Sequence, residues 1–398
     1  MRSFYLSSLA CILCSTIVFA DASSVSIAGP QDQSLSGNVF SLNLATEAGN
    51  IDNFLYQNSD VSSTYYTALS PSLILQSQFE RSLFQLNAKT SHYKYGSFSA
   101  DDHSDFNFSG KYQYKLSAIN TLFADGIFDD SYEYRGMGLT LGVPNSIDKG
   151  NTKNVIKTEV GYIHGNIDSV AKLKLTLGMS KSKYTTQRTL TNILDTKHQY
   201  IEGEFDYLLS NQIYFSSVIN IVDVNYSENE LMNRQEYAAL IGTKWQPSAI
   251  TNVEVLIGYQ KINVDEIGQD KNTISWRSNI TWAPLTYTKF RLGSARSVAN
   301  SSKLENSYSV IDSHSIAIGY DISDRLNTRL QLGVKIEDIN YSDNSVKEKY
   351  YFSNFSINYQ WQEWLSFFAR YNFEQLNAND ELLDHNRNSV SVGFNVNI

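Results

Sequence analysis

Charged side chains recur at every second position in several stretches of this chain. Lys172 and Lys174 alternate with apolar residues, and so do Glu202, Glu204 and Asp206. In a β-strand successive side chains point to opposite faces, so the charges of one stretch share a face. In a membrane that face must turn away from lipid, where each charge near the midplane would cost about 2–4 kcal/mol. The side chains that we expect to point into a barrel lumen are Lys172, Lys174, Glu202, Glu204, Asp206, Arg277, Lys289, Arg291, Arg325, Arg329, Lys335 and Arg370.

The distribution of these charges leaves two functions open. Basic residues concentrate on the predicted twelfth to fifteenth strands, while acidic residues cluster on the predicted eighth strand. A positive wall that faces an acidic wall would create a field across the lumen and could guide an anionic sugar polymer. Aromatic faces could also stack on sugar rings, and Tyr200, Tyr214, Phe352 and Phe368 are predicted to point inward. The alternative is a set of ion pairs that only fills and solvates the lumen.

Two predicted loop segments contain residues suited to acid–base chemistry, Asp101-Asp102-His103 and Asp384-His385. Such residues could activate water, but short polar runs in loops are more often only solvated. His314 and Ser315 are neighbours in one predicted strand and point to opposite faces, so they cannot form a nucleophile–base pair from that strand. The sequence has no glycine-rich phosphate loop, no HExxH and no calcium-loop pattern. We therefore predict no enzymatic activity, no cofactor and no metal site.

Long strands must hold the alternating residues. Period-two segments of nine to eleven residues recur, for example at 171–179, 326–336 and 365–373, and this is the length that a tilted strand needs to cross a bilayer. The composition agrees, because 26 Tyr and 20 Phe against only 5 Pro favour strands. A soluble β-sandwich, the main alternative, usually has shorter strands. The formal net charge of −9 argues against a general nucleic-acid binder.

The connections between the predicted strands alternate between short and long. Residues 246–248, 284–285 and 362–363 are short connections, whereas 134–153 is the largest and the one candidate of that size to fold into a lumen. Short periplasmic turns and long external loops are typical of outer-membrane barrels. We predict an all-β fold: a transmembrane antiparallel up-and-down β-barrel over residues 36–398, with about 18 strands, or 16 if the first strand lies outside the wall. The tryptophans beside the short turns, where an interfacial aromatic girdle belongs, are Trp245, Trp282, Trp361 and Trp364.

The beginning of the sequence predicts export. Residues 1–20 combine a positive start, an apolar stretch and small residues before a cleavage site that we place after Ala20. Cys11 and Cys14 both lie in this signal peptide, so the mature chain is predicted to contain no cysteine. Residues 21–35 are small and polar, and we expect them to form a short periplasmic segment. These features predict Sec-dependent export to the bacterial outer membrane.

The last ten residues alternate between polar and apolar side chains. The pattern Ser391-x-Gly393-x-x-Val396-x-Ile398 resembles the C-terminal assembly signal of outer-membrane barrels, polar-x-Gly-x-x-apolar-x-aromatic, although Ile398 replaces the usual aromatic residue. The resemblance implies that the barrel-assembly machinery recognises this strand, and that outer-membrane lipids and lipopolysaccharide surround the folded chain. The residues assigned to the assembly signal are Gly393, Phe394, Val396 and Ile398.

A stretch near the beginning carries a family resemblance. Ser59-Asp60-Val61, Leu69-Ser70-Pro71-Ser72-Leu73, Phe79-Glu80-Arg81 and Tyr93-Lys94-Tyr95 follow one another over about 40 residues. They resemble the opening hairpin of a family of outer-membrane β-barrel porins that is often associated with exopolysaccharide or capsule systems, with Glu80 in place of a turn glycine and Lys94 in place of arginine. The resemblance implies export or surface assembly of an exopolysaccharide. A general or solute-specific diffusion porin and a non-transporting receptor or adhesin are the alternatives, and the oligomeric state stays open.

Overall fold

The computed structural model describes residues 38–166, 168–264, 271–300, 308–340 and 345–398. The predicted signal peptide at 1–20 and the predicted periplasmic segment at 21–35 lie outside the described residues. The first described strand begins at Asn38.

Eighteen antiparallel strands make up almost all of this structure. Their bounds are β1 (Asn38–Ile51), β2 (Thr64–Phe79), β3 (Ser82–Tyr95), β4 (His103–Lys115), β5 (Asn120–Glu133), β6 (Asn151–His164), β7 (Ala171–Tyr184), β8 (Thr196–Ser210), β9 (Ile213–Tyr226), β10 (Arg234–Ser248), β11 (Thr251–Val264), β12 (Lys271–Leu285), β13 (Thr288–Asn300), β14 (Tyr308–Ser323), β15 (Leu326–Asn340), β16 (Ser345–Gln362), β17 (Leu365–Ala378) and β18 (His385–Asn397).

The sheet closes on itself. Each strand pairs with its neighbours in the sequence, and β1 pairs with both β2 and β18. The closing register runs from Asn43 opposite Asn397 to Ile51 opposite Ser389. Closure leaves no open edge whose backbone N–H and C=O groups would face lipid. The prediction of an 18-stranded antiparallel barrel is therefore confirmed.

The two faces of the wall differ in the way that a lipid environment requires. On β7 the side chains of Leu175, Leu177 and Met179 are 45%, 54% and 43% exposed, whereas Lys172 and Thr176 on the opposite face are buried. The exposed apolar face is the outer one, because a barrel in a membrane presents its apolar residues to lipid. The four tryptophans predicted for the girdle are also exposed, between 43% and 55%.

Glycines on the inner face make room for large rings on the next strand. Gly178 of β7 lies opposite Tyr200 of β8, and a Cβ at Gly178 would come within 2.1 Å of the tyrosine ring. Gly393 of β18 accommodates Phe368 of β17 in the same manner, with 2.4 Å to the ring. Gly393 thus has a packing role in the wall in addition to its place in the predicted assembly signal.

The long loops lie at the end of the barrel opposite the tight turns. They contain one short α-helix and six single turns of 3-10 helix, and no helix of the described residues is long and apolar enough to cross a membrane. The loops with these turns cluster at the external mouth, where they define the entrance to the lumen. Their bounds are Arg188–Thr191 for the α-helix and Ser99–Asp101, Gly138–Thr140, Pro144–Ser146, Asn192–Leu194, Glu230–Met232 and Glu381–Leu383 for the 3-10 turns.

Candidate functional site: the barrel lumen

The acidic side chains of β8 are neutralised by their neighbours on the inner wall. Lys244 of β10 forms ion pairs with Glu204 and, at 2.9 Å, with Asp206. The backbone register also places Lys172 opposite Asp206 and Lys174 opposite Glu204. These contacts join β7, β8 and β10 into a local network of alternating charges. The acidic side of the predicted transverse field is therefore largely cancelled within its own wall.

Arg277 extends this network to the next pair of strands. It lies on β12 opposite Leu256 and forms an ion pair of 2.9 Å with Glu254 of β11. Glu202, the remaining carboxylate of the β8 group, is buried and lies opposite Thr176 and Asn220. The inner wall from β7 to β12 thus holds cations and carboxylates in close alternation.

A second group of cations follows one register row along the opposite part of the wall. Lys289 of β13 pairs with Gly319 of β14, and Gly319 pairs with Arg329 of β15. Arg329 in turn pairs with Ser356 of β16, and Ser356 pairs with Arg370 of β17. Cations therefore alternate with small residues on neighbouring strands. We call Lys289, Arg329 and Arg370, together with Arg291 on the same face of β13, the basic row.

The part of the basic row nearest the periplasmic turns has uncharged surroundings. Lys289 and Arg291 are exposed on the lumen side. The register partners of Arg291 are Thr281 and Ala317, and the register partner of Lys289 is Gly319. Because no register partner supplies a carboxylate, positive charge persists in this part of the lumen.

Other predicted lumen cations are paired or lie elsewhere. Lys335 of β15 bonds Glu337 at 2.9 Å, and Arg370 bonds Glu47 at 2.9 Å across the seam where β18 meets β1. Arg325 lies outside the wall, in the exposed turn between β14 and β15. The alternation of β15 continues in sequence through Arg325, but the strand begins at Leu326, so the period of two misplaced this residue. The Arg325 carbonyl still accepts a hydrogen bond from the backbone N–H of Gln360 of β16.

Three of the aromatic rings predicted to point inward have cations on their faces. Lys172 lies 4.4 Å above the ring of Tyr214, and the Arg370 guanidinium lies 4.0 Å above the ring of Phe368. Tyr200 donates its hydroxyl hydrogen to Glu159, and Lys157 lies 5.7 Å from its ring. A ring face that a cation already covers offers less area for stacking on a sugar.

Four loops pack together over one side of the mouth, and we call residues 52–63, 96–102, 134–150 and 379–384 the loop lid. Phe54 is fully buried at its centre, and its ring stacks on Phe98 at 4.5 Å. Asp101, which has no exposed surface, is a second residue around which the loops of the lid pack. Its carboxylate accepts hydrogen bonds from the Tyr132 hydroxyl at 2.6 Å and from Arg135 Nη2 at 2.5 Å.

The loop lid is anchored to the inner wall through Arg387 of β18. Arg387 is 6% exposed, bonds Glu374 of β17 at 3.3 Å and lies over the rings of Tyr56 and Tyr134 at 4.6 and 5.7 Å. The Tyr134 hydroxyl meets the hydroxyl of the inward-facing Tyr95 at 2.8 Å. Burial raises the pKa of Tyr134, so this ring stays neutral beside the guanidinium. The long loop predicted as a lumen candidate therefore begins inside the mouth.

The loop residues considered for acid–base chemistry are structural in this arrangement. His103 stacks on Tyr132 with ring centroids 4.0 Å apart, and its Nδ1 contacts the backbone carbonyl of Asp101 at 2.8 Å. The Asp384 carboxylate accepts a hydrogen bond from the backbone N–H of Ala378. Among the described residues, no three His, Cys, Asp or Glu side chains are arranged to hold a metal ion.

The external end of the β13–β14 hairpin leans into the lumen, and we call residues 297–300 and 308–311 the inward hairpin. The pairing of β13 with β12 ends at Arg296, whereas its pairing with β14 continues to Asn300. Both faces of the hairpin are buried, with Val298 at 3% and Ile311 at 1% exposure. Val298 packs against two inward side chains of β11.

Polar contacts fix the inward hairpin to strands on another part of the wall. Asn300 accepts a hydrogen bond of 2.6 Å from Arg234 of β10, and its side-chain nitrogen meets His198 Nε2 of β8 at 3.0 Å. Arg234 is itself buried and bonds Glu236 at 2.8 Å. The hairpin thus bridges from β13 to β8 and narrows the external half of the lumen.

A protein-family model described as Putative beta-barrel porin 2 matches residues 43–398. The chain belongs to this porin family. The resemblance seen in the opening hairpin is confirmed, and the family and fold together place the porin in the bacterial outer membrane. No curated protein matched the sequence.

The fold of the porin is similar to that of solved outer-membrane proteins. The improved crystal structure of Pseudomonas aeruginosa OccK1 (OpdK) gives a TM-score of 0.51 at 10% identity, over 90% of this chain and 99% of that chain. Pseudomonas aeruginosa OpdK with vanillate gives 0.50 at 10% identity, with the same coverage. Acinetobacter baumannii OccAB3 gives 0.46 at 13% identity, over 92% of this chain and 100% of that chain. At these identities the likeness shows the fold alone.

The sequence analysis did not single out the inward hairpin of the porin or the residues that hold it. Arg234 and Glu236 follow the same period of two as the other inward charges, so the sequence indicates that both side chains point into the lumen. Their contact with Asn300 was not readable, because it joins residues 66 positions apart along the chain.

Proposed function

We propose that this porin is a diffusion channel for small anionic solutes. The observation that supports this most directly is the position of Lys289 and Arg291, which are exposed in the lumen with uncharged register partners. A cation in a water-filled channel attracts anions without holding them tightly, because solvent screens the interaction. Lys289 and Arg291, two residues apart on β13, offer a solute two successive positions of this kind.

The inward hairpin and the loop lid add selection by size. Both narrow the external side of the lumen, so a solute must pass between them before it reaches the basic row. Among the similar structures, OpdK has been solved with vanillate, which is an aromatic carboxylate. A small carboxylate would suit the charge of the basic row in the present porin as well.

Export of an exopolysaccharide, which the sequence resemblance implies, has less support from the inner wall. A sugar polymer needs uncovered aromatic faces, and here cations lie over the rings of Tyr200, Tyr214 and Phe368. The acidic group of β8 is neutralised by lysines, so the wall-to-wall field that would guide a polymer is also reduced. We retain export as the second hypothesis for the deletion experiment below.

Ion selectivity in a planar bilayer tests the proposal. A lumen charge about 8 Å from a passing ion attracts an anion and repels a cation, each by roughly 0.5 kcal/mol in water. One such charge therefore favours chloride over potassium by about 1 kcal/mol, or roughly fivefold, and we expect the wild-type porin to prefer chloride in a salt gradient. Replacing Lys289 and Arg291 by Gln in one variant should lower that preference roughly 25-fold. Lys349 is exposed and faces outward, so Lys349→Gln is the matched control and should leave selectivity unchanged.

A cation-selective wild-type channel, or a selectivity that does not respond to the two substitutions, would contradict the proposal. Deletion of the gene separates it from export. Uptake of small carboxylates should fall while secreted polysaccharide stays constant, and the opposite result would favour the exopolysaccharide hypothesis.

The predicted route to the membrane is part of the same proposal. We infer that the precursor is exported through Sec and cleaved after Ala20, so N-terminal sequencing of the mature porin should begin at Asp21. We infer that the assembly machinery recognises the final strand, and the outward direction of Phe394 and Val396, which pair with β1, supports this.

A further inference from the structure

A group of polar side chains lies on the outer, lipid-facing surface of β12, β13 and β14. Trp276, Ser294, Arg296, Asp312 and His314 share this face, and we call them the outer polar cluster. The register aligns Trp276 with Arg296 and Arg296 with Asp312, and it aligns Ser294 with His314. Charged groups on the lipid face of a barrel are destabilising, so this cluster calls for a physical explanation.

The residues around the cluster show that it lies on the outer face of the barrel. Ile274 and Trp282 of β12 share the face of Trp276 and are 53% and 45% exposed. Leu292 of β13 shares the face of Arg296 and is 45% exposed. On the far side, the register places Val334 opposite His314 and Ile336 opposite Asp312. Apolar side chains therefore border the cluster below and on both sides.

The depth of the cluster can be estimated from the strand. Arg296 is eight residues beyond Thr288, the first residue of β13. At ~3.3 Å per residue and a tilt of about 40°, it lies roughly 20 Å above the start of that strand. The apolar band of such barrels is about 25 Å tall, so Arg296 lies near the top of the outer leaflet.

The contacts inside the cluster leave hydrogen-bond donors for an external acceptor. Arg296 bonds Asp312 through Nε at 2.5 Å and through Nη2 at 2.6 Å, and its guanidinium lies 4.4 Å above the Trp276 ring. This geometry holds the guanidinium rigidly, and Nη1 is not used in either bond. A fixed arginine nitrogen near the headgroup level is a donor suited to a phosphate oxygen.

A second chain of hydrogen bonds in the cluster runs from Trp276 through Ser294 to His314. Trp276 Nε1 donates to Ser294 Oγ at 2.9 Å, and Ser294 Oγ lies 2.9 Å from His314 Nδ1. When the serine donates its single hydrogen to Nδ1, the remaining ring hydrogen is on Nε2. His314 then presents an N–H next to the rigid arginine.

We propose that the outer polar cluster binds the phosphorylated headgroup of a lipopolysaccharide molecule in the outer leaflet. Arg296 Nη1 and His314 Nε2 would donate to its phosphate and carbonyl oxygens. The exposed Leu292, four residues nearer the periplasmic turn than Arg296, would pack against its acyl chains. The unused hydrogen-bond donors and their depth favour this occupant over a second protein, because the donors lie at headgroup level and the surrounding face is apolar.

Native mass spectrometry of the purified full-length porin titrated with lipid A tests the proposal. The wild type should retain one lipid A more tightly than it retains phosphatidylethanolamine. The double variant R296L/D312L removes both charges together, and we expect its apparent affinity to fall about tenfold or more, the factor for losing one charge-assisted hydrogen bond. H314L should show a smaller loss in the same direction, and it provides a second measurement if the double variant folds poorly.

The control is K349L, which removes an exposed cation on the outer face of β16, outside the cluster. It should retain lipid A as the wild type does. Equal retention by wild type, R296L/D312L and H314L would overturn the proposal. So would conversion of an oligomer to monomers by R296L/D312L at unchanged lipid A retention, since the cluster would then be a protein contact.

Discussion

The buried carboxylate of Asp101 provides a quantitative test of the loop lid. Asp101 has no exposed surface and accepts hydrogen bonds from Tyr132, from Arg135 and, at 3.2 Å, from the backbone N–H of Gly150. In Asp101→Asn the amide can still accept hydrogen bonds, but it no longer balances the charge of the buried guanidinium. Removal of one partner of a buried ion pair costs about 3–5 kcal/mol.

This free energy predicts the size of the effect on the lid. Because about 1.4 kcal/mol corresponds to a factor of ten, the open population of the lid should rise by roughly two to three and a half orders of magnitude. Hydrogen exchange reports that population directly. Peptides that cover residues 134–150 should therefore exchange faster by about the same factor in D101N than in the wild type, at the same pH and temperature.

Two controls make the measurement decisive. The double variant D101L/R135M removes both charges, and replacing a whole buried pair by apolar side chains is often neutral, so its exchange should stay close to that of the wild type. The separate loop at 185–195 is fastened by an Arg188–Asp195 ion pair of 2.7 Å and should exchange at the same rate in all three proteins. If D101N exchanges within threefold of the wild type, or if the double variant matches D101N, the ion pair does not hold the lid.

The inward hairpin and the last residue give two further predictions. In Asn300→Ala the buried Arg234 keeps Glu236 but loses its acceptor on the hairpin, at a cost of about 1–3 kcal/mol. We therefore expect the hairpin to detach more often and single-channel conductance to rise, while Asn225→Ala on β9 is the control. Unchanged conductance in N300A would show that the hairpin does not restrict the channel. Ile398→Phe restores the aromatic end of the assembly pattern and should give at least the wild-type amount of heat-modifiable folded barrel on gels, while a clear decrease would argue against recognition of that residue.

Much of the wall was predictable from the sequence for a simple geometric reason. A strand that separates lipid from water must alternate, so the outward Leu175, Leu177 and Met179 and the inward Lys172 and Lys174 could be assigned from their parity alone. Tight turns interrupt that parity, which is why 18 strands could be counted in the sequence. The same reasoning placed Arg325 in the wall, since parity does not reveal where the hydrogen-bonded ladder begins.

The pairing of charges depended on register, which the sequence does not contain. Lys244 reaches Glu204 and Asp206 from two strands away, and Arg370 meets Glu47 only because the last strand closes on the first. The predicted field between a positive and an acidic wall assumed that β8 kept its charge. Neutralisation by neighbouring lysines could be seen only once the strands were aligned.

The sequence by itself determined a lipid-facing barrel, because the alternation that a membrane imposes on each strand is local and survives in the order of residues. Tertiary structure alone decided the shape of the passage. The Asp101–Arg135 pair of the lid and the Asn300–Arg234 contact of the inward hairpin join segments that are distant in the chain. Such contacts depend on the curvature and closure of the whole sheet, and no local pattern of residues records them.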